Sequence, residues 1–396
     1  MTTAGKHGPL HGVTVLDLTS FIFGPYATQT LGDLGAEIIK VEAPEGDRQR
    51  GGLKQKNSKN MGSTFMMLNR NKKSVTLDLK VEEDRERLRA LIPQAKVFIH
   101  NVRNSAMGSL GFGYEQVAAI NPGIVYVHLV GYDTEGPYGG RQAFDDLVQA
   151  ASGGADMLLD DNGNSTMRMF PSYVADKVSG LHALYAVLAA LYHQARTGEG
   201  QHVEVPMLES YTSFLMVEHL YGASFDPIVG HVGSTPALSP ERAAFKTKDG
   251  YIAVMPQGRE GAAKYMVLGG IEDFYNSEEF VKAPSSKDKV ALYNKAMRDA
   301  AAAHTTEEWM ELGDRHRIPI MRANTMDSVL DDPHLKGVNF FQVLPHETEG
   351  HWRAMKPPIK FSKTPASIRV NPQKPGASNE EILGIPAPVR HNKAAE

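Results

Sequence analysis

The sequence has 396 residues, more than the roughly 250–300 residues at which a single hydrophobic core stops growing, so at least two domains are expected. A net charge of −4 excludes a general attraction to nucleic acid, and the absence of cysteine excludes disulfides and thiolate metal sites. Residues 1–10 lack the apolar stretch of a signal peptide, and the apolar segment Leu181–Tyr192 is shorter than the about 20 residues of a membrane span, so a cytoplasmic protein is expected.

The first predicted elements form a strand–helix–strand unit. Val13–Leu18 has the β-branched and apolar residues of a buried strand. Pro25 suits the first turn of a helix that continues over Tyr26–Leu34, and Gly35 suits its end. Glu37–Glu42 is then a second strand, and this order within about 30 residues predicts two parallel strands joined by a helix.

The same alternation continues through the first half of the chain and predicts an α/β layer domain. Glu82–Ala95 is the next predicted helix. In Ser179–Arg196, leucines recur at the i, i+3, i+4 spacing of a helix with one apolar face. The further predicted strands are Ser74–Asp78, Val97–His100, Ile124–Val130 and Gln201–Val205.

The composition changes in the second half of the chain. Gly230–Pro240 is rich in Gly, Pro and Ser and is predicted to be a linker or loop. A strand follows at Tyr251–Met255, and Thr305 with Glu308 predicts a capping box at the start of a helix. The proline-rich tail from Lys356 onwards is predicted to run extended over a surface.

The turn after the first strand argues against a dinucleotide-binding enzyme. Such a site needs three glycines whose backbone N–H groups approach the pyrophosphate. Here Ser20–Pro25 has one glycine, Phe21 and Phe23 occupy the approach, and Pro25 lacks an N–H. Glu42 has the place of a ribose-binding acid, but a surface carboxylate is the plainer interpretation. The Gly-x-Ser-x-Gly elbow of an α/β-hydrolase does not occur in the sequence either.

Several sequence blocks, taken in order, resemble the family III coenzyme A transferases. This family includes formyl-CoA transferase and carnitine CoA-transferase and is related to α-methylacyl-CoA racemase. Each block is a weak signal by itself, but the ordered set covers nearly the whole chain and is specific. The blocks are Val13–Asp47, Asn69–Lys80, His100–Glu115, Val130–Gly154 and Ala175–Val205.

The resemblance implies a large Rossmann-like α/β domain with a smaller inserted α/β domain, in an interlocked, ring-like homodimer. It places the large CoA-binding domain at 1–225, the small domain at 226–334, and a C-terminal segment that returns to the large domain at 335–396. It implies acyl-CoA and carboxylic acid substrates, with neither nucleic acid nor membrane as a partner. Coenzyme A is expected as part of the substrate, and no permanently bound cofactor is implied.

Asp176 precedes the long predicted helix, and two roles are open to it. From the residues alone a helix N-cap is the plainer interpretation, because Asp is a preferred cap. The resemblance implies instead that Asp176 is the catalytic carboxylate. It would attack an acyl-CoA thioester to form a mixed anhydride, then hold CoA as an aspartyl thioester that the acceptor acid opens. Covalent catalysis of this kind divides a difficult exchange into easier steps.

The predicted CoA-binding residues lie in blocks that match the CoA-contacting segments of the family, where Lys and Arg would hold the phosphates. Lys72 and Lys73 are weaker candidates, for which a solvated charged surface is the plainer interpretation. Ala43 replaces an Arg of the formyl-CoA branch, so contacts there must differ. The candidates are Ser20, Phe21, Ile22, Phe23, Leu77, Lys80, Asn101, Arg103, Phe144 and Asp145.

Phe144 favours transfer over racemisation. The racemase branch has a His-Asp pair ahead of its catalytic Asp, because a base must lie within hydrogen-bonding reach of the proton that it moves. The aligned residues here are Phe144, which cannot move a proton, and Asp145, which either orients the site or is a structural carboxylate. Two alternatives stay open, an isomerase of the α-methylacyl-CoA racemase type and a non-catalytic CoA-thioester binding protein. The histidines have no metal-binding spacing.

Overall fold

The computed structural model describes residues 8–52, 54–158, 167–239 and 242–387. Residues 1–7, which belong to the N-terminal segment that lacks a signal-peptide pattern, lie outside the described residues. Pro240, at the end of the predicted linker, also lies outside them. The chain forms two compact units, one of Met1–His219 with Asn339–Glu396 and one of Leu220–Val338. The domain limits placed after residues 225 and 334 stay predictions.

Strands and helices alternate through most of the first unit, and helices dominate the second. The strands are β1 (Thr14–Leu18), β2 (Glu37–Glu42), β3 (Lys72–Thr76), β4 (Val97–His100), β5 (Val125–Val130), β6 (Gln201–Pro206), β7 (Phe245–Lys246), β8 (Tyr251–Val254), β9 (Ile320–Arg322), β10 (Phe341–His346) and β11 (Gly350–Met355). The α-helices are α1 (Phe23–Asp33), α2 (Ser63–Leu68), α3 (Glu82–Leu91), α4 (Asn104–Ser109), α5 (Tyr114–Ile120), α6 (Asp145–Ala151), α7 (Val174–Thr197), α8 (Met207–His219), α9 (Gly258–Leu268), α10 (Glu278–Val281), α11 (Ser286–Ala301), α12 (Thr306–His316), α13 (Pro333–Gly337) and α14 (Asn379–Leu383).

A six-stranded parallel sheet in the order β3-β2-β1-β4-β5-β6 forms the centre of the first unit, which confirms the predicted α/β class. The strand order reverses at the neighbours β1 and β4. In sheets of this kind a crevice opens beyond the carboxyl ends of the strands at the reversal, and ligands bind there. The sheet therefore places a binding site before any side chain is considered.

Both faces of the sheet are covered by helices. Side chains of α1, α6, α7 and α8 pack in one core, and those of α3, α4 and α5 pack in the other. Val15 belongs to the first core and Leu16 to the second, because successive side chains of a strand point to opposite faces. Strands covered on both faces explain the continuous apolar runs of the sequence.

Helix α7 is the long helix predicted from leucine spacing, but it begins at Val174 rather than at Ser179. Its buried side includes the small residues Ala183 and Ala190, which allow close packing in the core. With 24 residues and a mean hydropathy of 1.3, α7 is long and apolar enough to cross a membrane. Core helices of globular proteins also meet these two criteria of length and composition. The absence of a membrane partner therefore stays a prediction.

The second unit, Leu220–Val338, contains the antiparallel sheet β7-β8-β9. Trp309 and Tyr265 stack in its core with 4.6 Å between their ring centroids. The capping box predicted at the start of α12 is confirmed. The Glu308 N–H donates to Thr305 Oγ1 at 3.2 Å, and the Thr305 N–H donates to Glu308 Oε2 at 2.8 Å.

The C-terminal part of the first unit begins with a hairpin, β10–β11, that the sequence analysis did not predict. Beyond it, residues 356–378 run without helix or strand, as predicted for the proline-rich tail. This tail lies along the edge strand β3. The Ser74 and Thr76 N–H groups donate to the side chains of Gln373 and Asn379 at 2.7 and 2.8 Å. The tail thus satisfies the backbone groups of a sheet edge that would otherwise be open.

Candidate active site

A cavity of about 690 Å³ opens beyond the carboxyl ends of the parallel strands. Its walls are the loops that follow β1, β4 and β5 together with the first turns of α6 and α7. The volume lies within the roughly 300–1,000 Å³ of small-molecule pockets, and the position is the one expected from the strand order.

Most of the predicted site residues line this cavity. The exceptions are Leu77, which is 1% exposed in a core beside the sheet, and Lys80, which is exposed beyond β3. The predicted residues in the wall are Ser20, Phe21, Ile22, Phe23, Asn101, Arg103, Phe144, Asp145 and Asp176.

Neither of the weaker lysine candidates lines the cavity. Lys72 is buried, and its Nζ lies 3.1 Å from Asp17 Oδ2, so the interpretation of Lys72 as a solvated surface residue is wrong. The strand β3 that carries it is covered on both faces, and a buried ammonium must then be paired. Lys73 pairs with the carboxylates of Glu37 and Glu381.

Asp176 lies in the first turn of α7, whose N-cap is Tyr173, so the interpretation of Asp176 as the N-cap is wrong. Its backbone N–H donates to Asp145 Oδ2 at 2.9 Å, and the backbone N–H of Phe23 lies close enough to its carboxylate to lower its pKa. Burial and the nearby Asp145 carboxylate raise the pKa of Asp176 to about 7, against the Phe23 N–H and Lys177, which lower it. Near neutral pH this carboxyl group is therefore ionised in part of the molecules.

The donor to Asp176 comes from the N-terminus of a helix. Phe23 is the first residue of α1, where backbone N–H groups have no partner within the helix. Gly180 lies one turn beyond Asp176 on α7, and a Cβ at Gly180 would lie 2.9 Å from the Phe23 carbonyl oxygen. The missing side chain thus allows α1 and α7 to approach closely, which brings the Phe23 N–H toward the Asp176 carboxylate.

Asp145 and Gln149 on α6 hold the chain that leads into α7. Asp145 is 4% exposed, and besides the Asp176 N–H it accepts the side-chain amide of Gln149. Gln149 Oε1 accepts the Phe170 N–H at 2.7 Å, and its Nε2 lies 3.3 Å from the Ser172 carbonyl oxygen. Asp145 is therefore a buried, hydrogen-bonded carboxylate in contact with the backbone of Asp176, and its role in orienting the site stays a prediction.

The loops that follow β1 and β4 are joined by one side chain. Asn101 Oδ1 accepts the Ser20 N–H at 3.0 Å, and Asn101 Nδ2 donates to the Ser20 carbonyl oxygen at 2.9 Å. Both polar atoms of the amide are thus engaged within the wall. This pairing fixes the segment that leads into Phe23.

The wall has an apolar part made by two aromatic rings. Phe21 and Phe144 meet edge to face with 6.1 Å between their centroids, and Phe144 is 52% exposed. The Arg48 guanidinium lies 5.8 Å from the centroid of the Phe21 ring. Aromatic surface beside a cation suits a ligand that carries both an apolar and an anionic part.

Two guanidinium groups, those of Arg103 and Arg141, also line the cavity. Within the described residues neither forms an ion pair with a carboxylate, which leaves both able to bind a phosphate or a carboxylate of a ligand. In the same part of the chain, His, Asp and Glu side chains form no group of three that could hold a metal ion.

The sequence analysis missed several wall residues. Arg141 and Thr134 stand in the block Val130–Gly154, where a basic and a hydroxyl residue next to turn glycines were a usable signal. Met207 begins α8, which was not predicted, and Tyr173 precedes α7. For these two, only the fold brings the residue to the cavity.

Comparison with known proteins agrees with this geometry. The model of CoA-transferase family III matches residues 10–379. An acyl-CoA transferase of Fusarium pseudograminearum is 28% identical and aligns over 96% of this chain and 86% of its own length. The succinyl-CoA:glutarate CoA-transferase of Homo sapiens is 27% identical over 95% of this chain and 85% of its own length. The crystal structure of a CAIB/BAIF family protein from Brucella suis superimposes with a TM-score of 0.81 at 26% identity, covering 96% of this chain and 99% of that one.

Proposed function

This chain belongs to CoA-transferase family III and is a CoA-transferase, and we propose that Asp176 carries the acyl group and CoA in turn. The observation that supports this role most directly is the partly buried carboxylate of Asp176 in the cavity wall, within reach of a backbone N–H donor.

The proposed reaction begins when a carboxylate oxygen of Asp176 attacks the thioester carbonyl carbon of an acyl-CoA. The C–S bond breaks, CoA leaves as the thiolate, and a mixed anhydride remains. The thiolate then attacks the aspartyl carbonyl carbon, which releases the first acid as its carboxylate and leaves an aspartyl-CoA thioester. The acceptor carboxylate then attacks the aspartyl carbonyl carbon of this thioester, which releases the CoA thiolate and forms a second mixed anhydride. The thiolate attacks the acceptor's carbonyl carbon in that anhydride and releases the Asp176 carboxylate. The result is a new acyl-CoA and free Asp176, with no net gain or loss of protons.

The surroundings of Asp176 suit each step. The Phe23 N–H, which lies near the carboxylate, is available to the aspartyl carbonyl oxygen as negative charge develops on it. The negative charge of Asp145 disfavours the ionised form of Asp176. This repulsion ends once Asp176 has become the mixed anhydride or the CoA thioester, because neither form carries a negative charge on that side chain. The group is therefore less stable as a free anion than an exposed aspartate would be.

We place CoA along the cavity, with Arg103 and Arg141 toward its phosphates and the Phe21 and Phe144 rings toward its apolar arm or the acyl group. The predicted contacts of Leu77 and Lys80 lie outside the cavity wall, so they would require the ligand to extend beyond it. CoA enters as substrate, and we propose no permanently bound cofactor.

We further propose a cytoplasmic homodimer. Apolar side chains at Leu181, Tyr185 and Tyr192 are 47%, 57% and 65% exposed on one side of α7, and Phe214 and Val217 on α8 are 54% and 83% exposed. Exposed apolar side chains gathered on two neighbouring helices are typical of an interaction site in water. A second copy of the chain is the occupant that the resemblance to the family implies.

Replacement of Asp176 tests the proposal. Asp176→Asn keeps the size of the side chain, and we expect CoA transfer to fall by roughly 10³–10⁶-fold. The assay screens succinyl-CoA and longer acyl-CoA donors against glutarate and against aromatic and branched acids. Asp156→Asn, an exposed position of the same unit, is the matched control and should retain activity.

Trapping distinguishes transfer from the two alternatives. Hydroxylamine added during turnover should yield a hydroxamate at Asp176, detected by mass spectrometry. Deuterium exchange at the α-carbon of a chiral acyl-CoA without an acceptor acid would favour an isomerase. Undiminished transfer by Asp176→Asn would refute the proposed role, and binding without a trapped adduct would favour a CoA-thioester binding protein.

A further inference from the structure

A cluster of buried charged side chains lies directly behind the cavity wall, and the proposed reaction uses none of them. Lys40 and Asp47 form an ion pair with 3.1 Å between Nζ and Oδ2, and both side chains are 1% exposed. Neither lines the cavity, so neither can contact substrate. The cluster consists of Asp17, Lys40, Glu42, Asp47, Arg50 and Lys72.

This ion pair holds the backbone between β1 and α1 on either side of Ser20. Lys40 Nζ donates to the carbonyl oxygen of Thr19 at 2.9 Å. The Phe21 N–H donates to Asp47 Oδ1 at 3.3 Å. Because the two side chains also bond to each other, they act on this loop as one unit, which we call the Lys40–Asp47 clamp.

The loop that the clamp holds contains an unfavourable backbone conformation. Phe21 has a φ of 68°, in the left-handed region that side chains with a Cβ rarely adopt. Such residues persist where the surrounding structure over-determines them, and they concentrate at functional sites. Here the Asn101 amide binds the N–H and the carbonyl oxygen of Ser20. The clamp binds the carbonyl oxygen of the residue before Ser20 and the N–H of the residue after it.

The strained residue stands two positions before the N–H that acts on Asp176. Only Ile22 separates Phe21 from Phe23, whose N–H lies near the Asp176 carboxylate and lowers its pKa. If Phe21 relaxed to an ordinary φ, the chain direction entering α1 would change and this N–H would move. A displacement of about 1 Å at a reacting group can cost on the order of 10²-fold in rate.

Lys40 keeps its positive charge although it is buried. Burial opposes the ammonium form of Lys40, but the carboxylates of Asp47, Asp17 and Glu42 outweigh burial and leave the pKa of Lys40 above its ordinary value. Glu42 in turn accepts the Asp47 N–H at 3.0 Å and pairs with Arg50. The Lys40 side chain of the clamp therefore stays an ammonium group at neutral pH.

We infer that Lys40 and Asp47 are positioning residues, which hold Phe21 in its left-handed conformation and thereby aim the Phe23 N–H at Asp176. The inference rests on the proposed role of Asp176. It assigns a function to buried residues that touch neither substrate nor the reacting carboxylate.

The test removes both charges of the clamp at once. A single substitution would leave a buried charge unpaired and could prevent folding, whereas replacement of a whole buried pair by apolar residues is often neutral for stability. With succinyl-CoA and glutarate, or the most active pair of the screen, Lys40→Met/Asp47→Leu should lower kcat by at least about 30-fold. We expect KM for the acyl-CoA to change less than kcat does, because Arg103, Arg141 and Phe144 keep their places in the wall although Phe21 moves.

A second buried pair of the same unit is the matched control. Arg70 and Asp33 have 2.6 Å between Nη2 and Oδ2 and are both 5% exposed, but they do not bond to the loop between β1 and α1. Arg70→Met/Asp33→Leu should keep kcat within about threefold of the parent. Crystal structures of both double variants give a readout that needs no activity, since only the clamp variant should lose the left-handed Phe21.

Three results would overturn the inference. They are an unchanged kcat in the clamp variant, an equal loss in the control variant, or a crystal structure in which Phe21 and the Phe23 N–H keep their places without the clamp. Asp176→Asn is assayed alongside. If it transfers CoA at the parental rate, the proposed function fails; if it is inactive while the clamp variant is fully active, only the inference on Lys40 and Asp47 fails.

Discussion

The acid limb of the pH profile depends on one neighbour of Asp176. A carboxyl group with a pKa of about 7 is mostly protonated below that pH and cannot attack, so kcat/KM should rise with pH up to about 7 and level above it. After burial, the Asp145 carboxylate is the largest cause of the raised pKa. Asp145→Asn should therefore move the limb to lower pH, on the order of one pH unit.

This measurement has a control on the same unit. Asp156→Asn removes an exposed carboxylate that is not among the causes of the raised pKa of Asp176, and the acid limb of this variant should coincide with that of the parent protein. A limb that stays in place in Asp145→Asn would mean that burial alone sets the pKa of Asp176.

The same carboxyl group makes a prediction about stability. Its pKa is about 7 when folded and near 3.8 when unfolded, so the folded state binds the proton more tightly, and ionisation disfavours folding as pH rises from about 4 to 7. Asp176→Asn cannot ionise. It should unfold at a temperature roughly 2–8 °C higher than the parent at pH 8, and the difference should vanish near pH 4. Equal melting temperatures at pH 8 would contradict the raised pKa.

At the scale of elements, Gly180 sets the approach of α7 to α1. A Cβ at this position would lie 2.9 Å from the Phe23 carbonyl oxygen and 3.0 Å from Tyr26 Cδ1, so Gly180→Ala must push the two helices apart. We expect kcat to fall by roughly 10- to 100-fold through the displaced Phe23 N–H. Thermal unfolding, circular dichroism and kcat are measured together, so that a loss of fold is recognised.

Another glycine at a helical position serves as the comparison. A Cβ at Gly337 on α13 would meet nothing within 4 Å, so Gly337→Ala should leave activity unchanged and add stability of up to about 1 kcal/mol. Parental activity in Gly180→Ala would show that the helices tolerate a methyl group between them without moving the donor.

Sequence patterns predicted the sheet well because its strands are covered on both faces and read as apolar runs. They failed where the pattern was weak. The first turn of α7 carries no leucine, so the predicted start of the helix lay too far along the chain, and Asp176 was interpreted as a cap. In β10, Pro345 breaks the pattern of a strand, and the hairpin was missed.

The candidate site was predictable in part for a similar reason. Resemblance to a family could name Asp176 and part of the wall, because those residues stand in recognisable blocks. Asp145 and Phe23 were among the named candidates, but the supporting residues Gln149 and Gly180 could not be named, since they act through contacts that only the folded chain creates. One signal for the clamp was present, however: a lysine within the apolar strand β2 implies a buried partner, because Lys is almost never fully buried unless paired.

At the scale of the whole molecule, the proposed homodimer rests on the apolar side chains of α7 and α8. A monomer would leave Tyr185 and Val217 in water at 57% and 83% exposure. If each chain passes through the other, as the resemblance implies, folding and association cannot be separated, and the apparent stability should depend on protein concentration. Light scattering coupled to size exclusion should give twice the mass of one 43.3 kDa chain at micromolar concentration.

Disruption of this surface is the decisive experiment for the assembly. Tyr185→Glu/Val217→Glu places two like charges within the apolar face, and we expect monomeric or aggregated protein, because a buried unpaired carboxylate strongly disfavours association. Val81→Glu is the matched control, since Val81 is 42% exposed at the start of α3 and belongs to neither α7 nor α8, the helices of the proposed interface. It should keep the mass of the parent. A parent that is monomeric at every concentration would refute the dimer, and a Tyr185→Glu/Val217→Glu variant that remains a stable dimer would place the interface on another surface of the chain.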